Sequence, residues 1–257
     1  MIDVSRLEDP NLAMLEIAVQ ALGDLCDSFV FIGGCATGLL VTTVRAQQIR
    51  ATEDVDVVTR VATVSGYHRV EAQLSARGFK HDTSPDAPIC RWVGAGVTLD
   101  LMPSEPGVLS FHNRWYPLAV NTAQPVRLPS GRVIALIAAP VFIATKLEAF
   151  RSRGQNDFLA SHDLEDIVTV VDGRPTLRDE VRAAPADLRA YLAEQFRVLT
   201  NSTEFLDALA GHLPGDAASQ ARLPEIIRRL RELLPSVAPA ESRRRRSMAA
   251  WKPSGES

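Results

Sequence analysis

Residues 29–40, FVFIGGCATGLL, and 50–58, RATEDVDVV, decide how this chain folds. The first stretch opens with an apolar run, Phe29 to Ile32, that reads as a strand. It ends on Gly33-Gly34 and continues into a helix-like segment. The second stretch reads as another strand, carrying Asp54 and Asp56. Residues two apart on a strand point to the same face, so these two carboxylates project together while Val55 and Val57 face a core. Carboxylates held side by side at the end of a buried strand suit divalent cations. Paired glycines let a backbone come close to a phosphate, and a following helix start offers free N–H groups. Either motif alone has a plain explanation, D-x-D as a solvated strand edge and Gly-Gly as a turn. Their combination in strand–turn–helix–strand order points to a phosphate or metal site.

Working outward, residues 10–24 place apolar side chains at helical spacing. Residues 64–77 form a second helical pattern, closed by Gly78. A short strand over 89–93 turns at Gly94-Ala95-Gly96 into a strand over 97–102, VTLDLM. There Asp100 shares a face with Thr98 and Met102, a charge in an otherwise apolar strand. It lies either at the edge of the sheet or aimed at a site. Residues 125–137 read as a hairpin turning at Pro129-Ser130-Gly131, and Ala139-Pro140 starts a helix with proline in its favoured first turn. On that helix Val141, Ile143, Ala144, Leu147 and Phe150 can pack, leaving Lys146, Glu148, Arg151 and Arg153 to solvent or a site. Ser161 can cap the next helix, in which Asp163 and Asp166, three apart, are neighbours on one side. Beyond residue 176 only helical signals remain, over 188–199, 202–213 and 223–234. The expected architecture is α/β (α+β): a mixed sheet flanked by helices over 1–175, a helical region over 176–238, and a disordered basic tail over 239–257.

At 257 residues the chain is long enough for one large domain or two small ones, and 46% hydrophobic with 23% charged residues is ordinary for a soluble globular protein. No apolar run reaches the length of a membrane span, and the N-terminus lacks a basic region followed by a hydrophobic block, so a cytoplasmic protein is expected. Cys26, Cys35 and Cys90 have no C-x-x-C spacing and read as small buried hydrophobes. From Arg222 onward nine Lys/Arg face four Asp/Glu, a balance of +5, so the rest of the chain carries −8 of the total of −3. The basic end, with Arg243 to Arg246, is either a solvated tail or a contact for nucleic acid. The five histidines show no ligand spacing.

Three strand carboxylates, Asp54, Asp56 and Asp100, after a Gly-Gly turn suit two-metal nucleotidyl transfer. With FIGGCATGLL, RATEDVDVV, LDLM, KLEAFRSRG and HDLEDI in this order, the chain resembles the nucleotidyltransferase superfamily that includes DNA polymerase β. More narrowly it resembles the AbiEii/AbiGii (MenT-like) nucleotidyltransferase toxins of bacterial toxin–antitoxin systems, over roughly residues 29–172. The resemblance implies that Asp54 and Asp56 bind Mg²⁺ or Mn²⁺, with Asp100 as a third metal carboxylate. It implies that Gly33 and Gly34 form the nucleotide-phosphate turn and that Lys146 contacts the triphosphate. Asp163 or Asp166 matches the family's late acidic residue, and Arg50 and Arg151 supply further positive charge to the nucleotide. An NTP substrate, a tRNA or other RNA acceptor and a cognate antitoxin protein follow from the same resemblance. An antibiotic-type, small-molecule nucleotidyltransferase shares the layout, as would a non-catalytic domain that binds nucleotide or a partner. The chain departs from the commoner superfamily form in having Cys35 after Gly-Gly, where Gly-Ser is usual, and a long interval before D-x-D.

Overall fold

The computed structural model describes residues 9–43, 49–154 and 157–234. The proposed basic tail over 239–257, with Arg243 to Arg246, lies outside the described residues. Seven strands form a single mixed sheet: β1 Phe29–Ile32, β2 Asp54–Thr59, β3 Lys80–His81, β4 Arg91–Gly94, β5 Val97–Met102, β6 Gln124–Arg127 and β7 Val133–Leu136, in spatial order β3-β4-β5-β2-β1-β7-β6. All four residues of β1 are buried, and their burial contributes roughly 6–12 kcal/mol relative to exposure. A strand of that composition has no place at an edge. β1 pairs antiparallel with β2, placing Ile32 opposite Asp56, and parallel with β7. β2 runs parallel to β5, with Asp56 opposite Asp100.

The hairpin of β4 and β5 turns at Ala95 and Gly96, whose φ values of 52° and 79° are both left-handed. That is the two-residue turn whose twist matches paired strands. The first strand of this hairpin starts at Arg91, two residues later than the pattern suggests. Ile89, just after Pro88, remains exposed in the preceding loop.

The helices are α1 Leu12–Leu22, α2 Thr37–Leu40, α3 Val64–Ala76, α4 Tyr116–Thr122, α5 Ala139–Arg153, α6 His162–Gly173, α7 Leu177–Ala183, α8 Ala186–Asn201, α9 Thr203–Ala208, α10 Ala217–Gln220 and α11 Leu223–Glu232. Thr63 caps α3 by accepting from the Gly66 N–H, and Ser161 caps α6 by accepting from the Leu164 N–H. α5 carries proline in its first turn and buries most of its length between the sheet and the later helices. α8 packs on α5, and α11 packs on α6 and α8. Leu188, Leu192, Phe196, Ile226 and Leu230 join the same continuous core as the strand residues.

Among the described residues no strand follows β7. β3, α4 and α7 have no clear signal in the sequence because each is short. The segment expected as one helix over 202–213 breaks into α9 and a 3-10 turn at Leu209–His212. Cys26, Cys35 and Cys90 are free and buried. Among the described residues no helix is long and apolar enough to cross a membrane.

Candidate active site

Sheet register assembles the acidic side of the site. Asp54 and Asp56 share one face of β2, and Asp100 sits beside Asp56 on β5. Because β5 lies between β2 and β4, Asp100 is interior to the sheet and only 7% exposed. Of the two positions open to it in the sequence, the structure excludes the sheet edge. Next in the row comes Arg91 on β4, opposite Asp100. Its Nε donates to Asp100 Oδ1 at 2.8 Å, and its Nη2 donates to both Asp100 Oδ2 and Asp54 Oδ2, each at 2.8 Å. The other oxygen of Asp54 accepts from the Thr52 hydroxyl at 2.8 Å.

Asp56 is placed differently. Among the described residues nothing donates a hydrogen bond to its carboxylate, and its pKa is pushed up to about 7. Burial is the main cause, and the neighbouring charges of Asp54 and Asp100 add to it, while Lys146 and Arg153 act in the opposite direction. Gly33 explains the close approach of turn and strand. A Cβ at this position would lie 1.8 Å from Asp56 Oδ2, and its φ of +68° is itself left-handed. Gly34 has a different neighbour, since a Cβ there would meet Arg50 and Thr52.

Positive charge comes from α5 and the loop before β2. Lys146 is buried, with Nζ 2.7 Å from Asp166 Oδ2 and 3.2 Å from Asp163 Oδ1 on α6. Burial opposes its charge, but Asp166 and Asp163 outweigh that effect and raise its pKa, so it is an ammonium. For Asp163, burial is likewise outweighed by Lys146 and Arg153, and its pKa is lowered. Arg153 Nε and Nη2 donate to Asp163 at 3.2 and 3.1 Å, while its side chain is 71% exposed. Arg50 completes the chain of charges, 3.5 Å from Asp166 and 3.7 Å from Glu165. Asn11 anchors the loop holding Arg50 by donating to the Arg50 carbonyl and accepting from the Thr52 N–H. The helix following the glycine turn is tied to the end of α6, where the Gly173 carbonyl accepts from the Thr42 and Thr43 N–H groups.

A cleft of about 490 Å³ lies between these two arms. Gly33, Asp56, Asp100, Lys146, Arg153 and Asp163 line it, and Phe111, His112, Tyr116 and Glu148 form other parts of its wall. Asp54, Gly34, Arg50 and Asp166 do not line it; Asp166 contacts Lys146, and Arg50 contacts Asp166 in turn. Arg151 is not brought to the cleft. It is 56% exposed and 3.7 Å from Glu148, and Arg153 occupies the side of α5 that turns inward.

Arg91 is the site residue that motif reading misses, whereas Arg153 is left there between solvent and a site. The signal for Arg91 is present in the hairpin: a two-residue turn at Ala95-Gly96 sets Gly94 opposite Val97 and, counting back, Arg91 opposite Asp100. Arg153 has no such local signal.

Asp54 and Asp56 offer hard oxygens from one strand face. Asp56 has no competing donor, and a cation would offset the burial, and with it the repulsion from Asp54 and Asp100, that raises its pKa. Asp100 is already held by Arg91, and among the described residues no group of three or more His, Cys, Asp or Glu could hold a metal ion. Asp54 also accepts from Arg91, but through Oδ2 alone; its Oδ1, bonded only by the Thr52 hydroxyl, and the Asp56 carboxylate fit one divalent ion, with water completing its shell.

No family model matches the chain, and no curated protein matches it. Two of the solved structures it resembles are of ANT(2'')-Ia. One is a solution structure of this antibiotic-resistance factor that describes substrate-regulated conformation dynamics, with 14% identity, 75% of this chain and 96% of that chain covered, and a TM-score of 0.46. The other is a crystal structure in complex with adenylyl-2''-tobramycin, with 15% identity, 71% and 98% coverage, and a TM-score of 0.42. A likeness at that level does not decide what this chain does.

Proposed function

We propose that this protein is a metal-dependent nucleotidyltransferase that moves a nucleoside monophosphate from an NTP to an acceptor hydroxyl. The observation that carries the proposal is the juxtaposition of Asp56, the left-handed Gly33 turn and the Lys146–Arg153 cations around one cleft, with Asp54 beside Asp56 on the same face of β2. Its volume falls in the range of small-molecule sites and accommodates a nucleotide. Asp54 and Asp56 would hold Mg²⁺ or Mn²⁺, which when bound supplies charge neutralisation at the triphosphate and a lowered pKa for an attacking hydroxyl.

The chain's own groups do the rest. Gly33, lacking a Cβ, lets the Asp56 carboxylate lie directly against the turn at the wall of the cleft where a phosphate would enter. Lys146 and Arg153 present fixed positive charge where a leaving pyrophosphate gains negative charge. Asp163 and Asp166 hold that lysine in place, and Arg50 partners Asp166 from behind. Because Lys146 is already gripped by two carboxylates, it acts as a buried electrostatic support, with Arg153 as the more accessible cation.

A tRNA or other RNA acceptor, the role of a toxin and a cognate antitoxin belong to the proposal through the motif resemblance, with the basic C-terminal segment as a further reason for RNA. A second reading, transfer to a small hydroxylated amine of the antibiotic type, draws on the cleft itself, where Phe111, His112 and Glu148 offer aromatic and acidic surface. One experiment addresses both. The protein is incubated with each α-labelled NTP and Mg²⁺, with total cellular RNA in one arm and hydroxylated aminoglycosides in the other. Transfer of label that is lost in Asp54→Asn is the expected result. Label on RNA supports the first acceptor and label on the aminoglycoside the second; no transfer in either arm refutes nucleotidyl transfer to these acceptors.

A further inference from the structure

The three-strand row Asp56–Asp100–Arg91 puts a guanidinium where an acidic site would otherwise present only carboxylates. Register makes this arrangement unavoidable, because opposed residues on paired strands share a face. The geometry is that of a strong pair: Arg91 grips both oxygens of Asp100 at 2.8 Å and reaches Asp54 with the same Nη2. A guanidinium does not lose its proton in a protein, so this charge is permanent. Asp100 is nearly buried with both oxygens held by the guanidinium, and turning it toward a metal would break two charge-assisted hydrogen bonds, whereas Asp54 gives Arg91 only Oδ2 and keeps an Oδ1 bonded by the Thr52 hydroxyl alone. With Asp54, Asp56 and Asp100 ionised, Arg91 brings the row to −2, the charge that one divalent ion neutralises. Two such ions would leave an excess of positive charge in a half-buried row.

We propose that Arg91 is a positioning residue that serves as a built-in cation: it keeps Asp100 out of the metal-binding set, so that without nucleotide the site takes a single divalent ion on Asp54 and Asp56. The proposal rests on the reading of those two aspartates as metal ligands. It departs from the two-metal arrangement that three strand carboxylates suggest in the sequence.

The test is Mn²⁺ binding to the full chain in the absence of nucleotide, followed by the electron paramagnetic resonance of free Mn²⁺ and by calorimetry. Wild type is expected to bind one ion, and Asp56→Asn to abolish binding. Arg91→Met, which keeps the length of the side chain and removes its charge, frees both oxygens of Asp100 and also Oδ2 of Asp54. It is expected to bind a second ion or to hold the first about tenfold more tightly. If Arg91→Met does not fold, Arg91→Lys decides, since it keeps the charge but cannot grip both oxygens; it is expected to tighten Mn²⁺ about threefold. Two ions on wild type, or unchanged binding in the folded Arg91 variant, overturns the role of Arg91 alone. Absence of Mn²⁺ binding, or binding indifferent to Asp56→Asn, overturns the metal-ligand reading beneath it.

Discussion

Replacing Asp56 with asparagine should stabilise the metal-free protein, and the gain should grow with pH. An aspartate ordinarily titrates near 3.8, whereas burial and the charges of Asp54 and Asp100 push Asp56 up to about 7 in the folded chain. The sign follows from proton linkage. With a folded pKa above the unfolded one, the native state holds a proton that the unfolded chain releases. Stability is then fully present below pH 4 and falls as pH rises toward 7. At about 1.4 kcal/mol for each tenfold change in proton affinity, the full cost above pH 7 is at most about 4 kcal/mol. Partial solvent access and relaxation of the surrounding side chains leave about 2 kcal/mol as the working figure. For a chain of this size that corresponds to a rise in Tm of about 4–8 °C. Asparagine keeps the shape and removes the charge, so thermal unfolding in a metal-chelating buffer at pH 5 and pH 8 reads the effect directly. The expected result is a gain at pH 8 clearly larger than the gain at pH 5. Equal gains at the two pH values, or a lower Tm at pH 8, would refute the account of Asp56 as an uncompensated carboxylate.

Two further substitutions probe the cationic arm. Lys146→Ala leaves Asp163 and Asp166 buried without their main partner, and should cost about 3–5 kcal/mol in urea unfolding. A loss below 1 kcal/mol would mean that the buried pair contributes little, and a loss of activity in this variant has to be read beside its stability. Arg153→Gln should weaken NTP binding about tenfold, the loss of one charged contact to phosphate, while Arg151→Gln should change it less than twofold. Equal effects in equilibrium binding would count against the assignment of Arg153, rather than Arg151, to the cleft.

Much of the fold is legible in the chain because its evidence is local. The apolar run Phe29–Ile32 cannot sit at an edge, and the alternation through Asp54–Thr59 puts Asp54 and Asp56 on one face whatever surrounds them. The start of α5 at Pro140 and the cap of α6 at Ser161 likewise depend on the residues beside them. Short elements escape this reasoning. β3 has two residues and α4 and α7 have seven each, too few for a periodic pattern to separate from chance.

Within the candidate site, the sequence by itself determines which carboxylates are neighbours along one strand or one helix face, since a fixed geometric repeat sets those relations. Only the tertiary structure decides which charge meets which. Arg91 reaches Asp54 because the β4–β5 hairpin docks beside β2 as a parallel neighbour, a matter of strand order that no local pattern encodes. Arg50 meets Asp166 across 116 positions of chain. Arg151 and Arg153, two apart on α5, point to nearly opposite sides of the helix. Which of them enters the cleft is set by the rotation at which α5 buries Val141, Ile143, Leu147 and Phe150, a choice made by packing over the whole core.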